Sequence, residues 1–216
     1  MGIDQPGHPD ASHQRRIGLT GGIASGKSSV ARLLQQNHGL PLLDADVEAR
    51  QALAPGSPAA RAVIDRFGAA VVAPGSKPAA AVLNRAALGQ IVFHDAQQRA
   101  WLEQLVHPIV RARFAQQLQA LAAAPVVVLV VPLLFEAGLQ DQCSEVWLVD
   151  CDDQQQLARL MARDDLSAAD AQARIAAQWP LARKRPLAQV LINNRGQADA
   201  LPAQVARALE QITTAL

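Results

Sequence analysis

A doubly wound α/β fold with a mainly parallel sheet is what the sequence predicts, on three observations. A glycine-rich segment, Gly21 to Ser28, sits between a strand-like run, Arg16 to Thr20, and a helical one, Lys27 to Gln36. Val126 to Val131 is almost continuously β-branched, the pattern of a strand buried on both faces. Strand-like runs then alternate with helical segments along the chain, which implies crossover connections and a single Rossmann-like layer of five strands. Ligands of such a fold sit beyond the C-terminal ends of the strands.

Taken in order, residues 1–14 are polar and read as a mobile tail. The first strand, the glycine-rich segment and a helix with Val30, Leu33 and Leu34 at helical spacing follow. A second strand, Leu40 to Leu43, runs into Asp44-Ala45-Asp46. About eighty residues then separate it from the third strand, more than a simple crossover needs, and they read as a wholly helical insert. Inside it, Ser57 before Pro58 marks one helix start, Asp95 with Gln98 forms a capping-box pattern at another, and His107-Pro108 opens a third. After the third strand come a fourth at Glu145 to Val149 and an arginine-rich helical stretch with Arg159, Arg163, Arg174, Arg183, Lys184 and Arg185. A fifth strand at Val190 to Ile192 and a last helix, with Val205, Leu209, Ile212 and Leu216 on one face, complete the series.

Composition excludes several classes of function. The 216 residues carry 20 Lys and Arg against 19 Asp and Glu, a net charge of +1, so the basic footprint of a nucleic-acid binder is missing. Aromatics are 3% and tyrosine is absent, which leaves few platforms for stacking bases and makes the core aliphatic. Cys143 and Cys151 lack C-x-x-C spacing or a histidine partner, so neither a disulfide framework nor structural zinc is expected. Residues 1–14 lack the apolar stretch of a signal peptide, and the run Val126 to Phe135 is too short to span a bilayer. A cytoplasmic protein without membrane or nucleic-acid partners is expected, and its oligomeric state is not legible.

The chemistry starts at GGIASGKS, residues 21–28, which fits the phosphate-loop pattern G-x-x-x-x-G-K-[S/T] at every fixed position. Its glycines let backbone N–H groups curl around phosphate oxygens, Lys27 reaches the β- and γ-phosphates, and the Ser28 hydroxyl can ligate Mg²⁺. ATP is thereby expected on Gly21, Gly22, Ile23, Ala24, Ser25, Gly26, Lys27, Ser28 and Ser29. No N-K-x-D segment argues for guanine, and the third strand runs into Pro132 to Glu136 without an aspartate for the metal. The carboxylates at the end of the second strand are therefore the candidates. Placed beside the first strand, Asp44 and Asp46 would face the γ-phosphate and point the same way from an extended segment. One could orient or deprotonate an acceptor hydroxyl and the other hold a metal-bound water or fix the neighbouring helix, or Asp46 could merely N-cap the helix beginning at Val47. The arginine-rich stretch is either a solvated helix face or a lid that neutralises charge on a transferred phosphoryl group.

Together these segments resemble the dephospho-coenzyme A kinase family. RIGLTGGIASGKS, LLDAD, His107-Pro108, VVPLLFE, and RLMARDDLS with RIAAQWP follow the family's motif order from about Arg16 to Gly196. The resemblance implies a P-loop kinase core with a coenzyme-A-binding helical insert and a helical lid, acting in ATP-dependent phosphorylation of the ribose 3′-hydroxyl of dephospho-CoA. It puts the core at 15–48, 125–160 and 187–216, the insert at 49–124 and the lid at 161–186. It places the acceptor-activating aspartate on Asp46, the lid arginines on Arg159 and Arg163, and acceptor contacts at Asp44, His107, Pro132, Leu133 and Glu136. Three positions depart from the family's pattern: Ala24 replaces a glycine, Ser29 a threonine, and Asn193 an aspartate. An alanine forced to φ > 0 at position 24 costs about 1 kcal/mol. Another small-molecule kinase, such as one acting on nucleoside monophosphates, a slow nucleotide switch, or an interaction module without turnover are the alternatives.

Overall fold

The computed structural model describes residues 14–76, 81–196 and 198–213. Five parallel strands form one sheet in the order β2-β3-β1-β4-β5, with β1 Arg15–Gly21, β2 Leu42–Asp44, β3 Val126–Val130, β4 Glu145–Asp150 and β5 Val190–Asn193. The expectation that β2 lies beside β1 is corrected: β3 stands between them. Burial explains the order, because β1, β3 and β4 are the apolar strands that profit from cover on both faces, whereas β2 is three residues long and forms an edge. At the other edge, the Gln204 side chain accepts from Asn193 N at 2.9 Å and donates to Asn193 O at 2.9 Å, so one amide occupies polar groups that an added strand would otherwise use.

Alternation along the strands supplies two cores. Ile17, Leu19, Val128, Val130, Trp147, Val149 and Ile192 pack on α1 (Lys27–His38) and α9 (Leu201–Thr213) through Val30, Leu34, Leu201 and Val205. Leu209 joins the edge of that cluster, as its position on one helix face predicts. Leu216, the Ile212 side chain and residues 1–13 of the expected 1–14 tail lie outside the described residues; Gln14, the last residue of that tail, donates from Nε2 to Leu121 O at 2.7 Å and Ala124 O at 3.1 Å. On the opposite face Leu43, Val127, Leu129 and Val131 meet Val63, Leu88, Val110, Phe114 and Leu118 of the insert in one continuous cluster. The insert therefore shares its core with the sheet.

α2 (Ala45–Ala52) leads from β2 into that insert, which holds α3 (Pro58–Phe67), α4 (Arg85–His94) and α5 (Ala96–Ala120). The insert is not wholly helical, since Val72 and Leu83 form an antiparallel bridge between α3 and α4. Ser57 caps α3 by accepting from Ala60 N at 3.0 Å, with Pro58 at the first turn. Asp95 caps α5 through Gln97 N and Gln98 N, but the capping box does not close. Its two groups are taken elsewhere: Asp95 N donates to Ile91 O to end α4, and Gln98 Oε1 accepts from Arg66 Nε at 2.7 Å. Nor does His107-Pro108 open a helix, for α5 runs through Pro108 without a break. The proline removes one N–H from the ladder, and burial of Val106, Val110, Phe114 and Leu118 along the same face offsets that loss.

Beyond β4, α6 (Asp153–Asp164), α7 (Ala168–Ala176) and the single turn α8 (Leu181–Lys184) cover the C-terminal end of the sheet. α6 continues through residue 160, so Arg159 and Arg163 belong to one element. Contacts from α7 reach α4: the Arg174 guanidinium lies 5.2 Å from the Phe93 ring centre, and Asp170 Oδ1 lies 3.9 Å from His94 Nε2. Cys143 and Cys151 are free thiols, and burial pushes them up to about 12 and about 11, out of the nucleophilic range. No helix among the described residues is long and apolar enough to cross a membrane.

Candidate active site

The strand-to-helix loop after β1 takes its shape from two left-handed residues, Ala24 at φ 57° and Gly26 at φ 97°. A side chain at Gly26 would be strained at that φ and would displace Asn194, whose Nδ2 lies 2.0 Å from where a Cβ would stand and donates to Ser25 O at 2.8 Å. Ile23 is held on both sides of its backbone. Its N–H donates to Gln178 Oε1 at 2.9 Å, and its carbonyl accepts from Gln156 Nε2 at 2.8 Å. The start of α1 carries no side-chain cap, so its first amides are available to an anion.

A cavity of about 320 Å³ opens over this helix start, lined by Ala24 to Ser29 together with Arg159 and Arg163. It thus joins the loop to both sequence-predicted arginines. Arg159 donates from Nη2 to Asn194 O at 3.1 Å, while its Nη1 is buried with no hydrogen-bond partner among the described residues, a donor suited to a phosphate oxygen. Arg163 pairs through Nε and Nη2 with Asp164, which also accepts from Arg174 Nη1 at 2.9 Å. That hydrogen bond to Asp164 holds the Arg163 guanidinium above its ordinary value, so it stays a fixed positive charge.

The two aspartates separate into distinct jobs. Asp44 ends β2 and caps α2, accepting from Asp46 N at 2.8 Å and Val47 N at 3.3 Å. The reading of Asp46 as a mere N-cap is corrected, and so is the pairing of both side chains on one extended segment, because the helix begins at Ala45. Asp46 stands in the first turn of α2, exposed to the cleft, and makes no hydrogen bond from its carboxylate to the described residues. Loss of surrounding water raises its pKa, against the pull of Lys27; Asp44 adds to the rise, and Arg50 and Arg163 oppose it. Lys27 shows the reciprocal pattern: burial lowers its pKa, Asp46 and Asp44 raise it, and Lys184 and Arg163 lower it. The two groups therefore feel each other across the cleft.

A second cavity, about 190 Å³ and mostly apolar, opens on the other side of Asp46. His107, Pro132, Leu133, Leu102, Glu103 and Val131 are among the residues that line it. Burial lowers the His107 pKa, with Glu103 opposing and Arg111 assisting, so the ring is neutral near pH 7. Asp44 and Glu136 do not line this cavity; Glu136 Oε1 is engaged by Lys184 Nζ at 2.8 Å and by Trp179 N at 2.9 Å. Asn193, where an aspartate was expected, accepts from Arg195 N at 2.9 Å, a bond that needs no charge. Sequence reasoning missed Gln156, Gln178 and Asn194 as braces of the loop, and no local pattern points to them. Lys184 was visible only as one member of a basic stretch.

Ser28 is exposed in the first turn of α1, and its hydroxyl has no hydrogen bond to the described residues, so it is available to a hard cation. Among the described residues no group of three or more His, Cys, Asp or Glu is placed to hold a metal by itself.

Residues 15–200 match the family model described as dephospho-CoA kinase. A dephospho-CoA kinase from Synechococcus sp. (strain CC9605) is 59% identical over 97% of this chain and 98% of its own length. A Thermus thermophilus protein of known crystal structure superposes with a TM-score of 0.74 at 35% identity, covering 94% of this chain and 98% of its own. The dephospho-CoA kinase from Campylobacter jejuni gives a TM-score of 0.65 at 25% identity, covering 93% of this chain and 98% of its own.

Proposed function

The chain belongs to the dephospho-CoA kinase family, and on that premise we propose that it moves the γ-phosphoryl group of ATP to the ribose 3′-hydroxyl of dephospho-CoA, giving CoA and ADP. The observation that carries this reading is the position of Asp46. Its carboxylate lines an apolar cavity fit for a second substrate and interacts electrostatically with Lys27 and Arg163, which line the phosphate-loop cavity.

The reaction follows from what each group can do. Loop amides and Lys27 hold the β- and γ-phosphates, and the Nη1 of Arg159 with the charge of Arg163 stabilises the phosphoryl group in flight. Asp46 accepts the proton of the attacking hydroxyl and fixes its line of approach. His107, Pro132 and Leu133 border the acceptor and exclude water that would compete with it. Ser28 would hold Mg²⁺, which supplies charge neutralisation on the phosphates; ATP is the co-substrate.

In this reading 49–124 is the acceptor-binding insert, 161–186 the lid, and 15–48, 125–160 and 187–216 the core. A cytoplasmic location, small-molecule partners and no nucleic acid belong to the same proposal. The test is ADP release from ATP with dephospho-CoA, AMP, CMP or no acceptor in parallel. Turnover stimulated by dephospho-CoA alone is expected, and stimulation by a nucleoside monophosphate instead overturns the acceptor assignment.

A further inference from the structure

Lys184 is a lysine with no solvent exposure, and no step of the reaction uses it. Its ammonium lies 2.8 Å from Glu136 Oε1 and donates to Pro132 O at 3.3 Å. Glu136 Oε1 also accepts from Trp179 N, while Glu136 Oε2 is buried without a hydrogen-bond partner among the described residues. The same Pro132 carbonyl accepts from the buried Thr20 hydroxyl at 3.2 Å, and Thr20 immediately precedes the phosphate loop. Three separate pieces of chain thus meet at the Pro132 carbonyl: the end of β1 through Thr20, the 132–136 segment whose first residues wall the acceptor cavity, and the end of α8 through Lys184.

A buried ion pair is a poor way to gain stability, since an apolar pair of similar volume serves as well or better. What the pair does supply is a fixed direction, because an ammonium between a carboxylate and a carbonyl tolerates little displacement of either. We propose that Lys184 is a positioning residue for phosphoryl transfer, acting through Glu136 and Pro132 to lock the acceptor wall to the root of the lid. This rests on the reading of Pro132 and Leu133 as acceptor contacts. It also gives Glu136 a role other than touching substrate.

The experiment compares Lys184→Met, Glu136→Gln and the double variant with the wild-type chain, reading kcat, KM for each substrate and Tm. Each single variant is expected to lose about 10- to 100-fold in kcat and to raise KM for dephospho-CoA, because the wall is displaced, while KM for ATP stays within about threefold. The double variant removes the unpaired buried charge, so Tm returns toward the wild-type value while kcat stays low. Recovery of kcat together with Tm would show a merely structural pair and overturn the proposal. Unchanged kcat and acceptor KM in both single variants would do the same. If Lys184→Met does not fold, Glu136→Gln carries the same comparison. Wild-type chain that releases no ADP with dephospho-CoA removes the acceptor reading itself, a result distinct from wild-type turnover with unaffected variants.

Discussion

Asp46 and Lys27 shift each other's protonation in opposite directions, and that coupling makes the acceptor side testable at single residues. Asp46→Asn is expected to lower kcat by about 10²- to 10⁴-fold while ATP binding, followed by titration calorimetry, changes less than about threefold. Near-normal turnover would remove Asp46 from the role of base. The base must be deprotonated, and a raised pKa means acidification removes it earlier than it would a free aspartate. The acid limb of kcat/KM for ATP is therefore expected above the ordinary 3.8; a limb at or below that value contradicts the assignment. Ala24 was legible as a departure, and its φ of 57° shows why it matters. Ala24→Gly relieves the left-handed strain but adds unfolded-state entropy, for a net gain of about 0.5 kcal/mol in urea denaturation. A loss of stability would show that Ala24 is not strained. Asp-x-Asp was visible in the sequence, yet which carboxylate caps the helix was not, because the pattern looks the same whether the helix begins at 45 or 47.

At the scale of elements, Asp44 acts by starting α2 and so aiming its neighbour. Asparagine caps as well as aspartate, whereas alanine does not. Asp44→Asn is expected to keep turnover within about threefold, and Asp44→Ala to cost about 1 kcal/mol of stability and to lower kcat as Asp46 loses its orientation. Equal damage from both variants would point to a charge role instead. Strand β3 and the starts of α3 and α5 were readable, since β-branched runs and caps are local signals. The continuity of α5 through Pro108 was not. Local rules favour proline at a helix start, and only the buried face of Val106 to Leu118, a tertiary matter, overrides them.

For the whole molecule, one apolar cluster runs from the sheet into the insert, so the two should unfold together. Trp101 lies in the insert and Trp147 in β4. Variants in which Trp101 or Trp147 is the single tryptophan, with Trp179 also replaced, are expected to report the same urea midpoint by fluorescence. Two separated midpoints would mean that the insert is an independent unit. The order of strands escaped sequence reading for a related reason: periodicity tells a strand's burial, not its neighbour. The loop braces Gln156, Gln178 and Asn194 escaped it too, as each reaches Gly22 to Gly26 from far along the chain. The grip of the two glutamines on the Ile23 backbone has a thermodynamic meaning. Because α6 and the Gln178 turn hold the phosphate loop through the backbone N–H and C=O of one residue, Ile23, donor occupancy and arm position form a single linked cycle. By reciprocity, whatever factor bound triphosphate applies to the arm's preferred position is the factor by which that position tightens triphosphate.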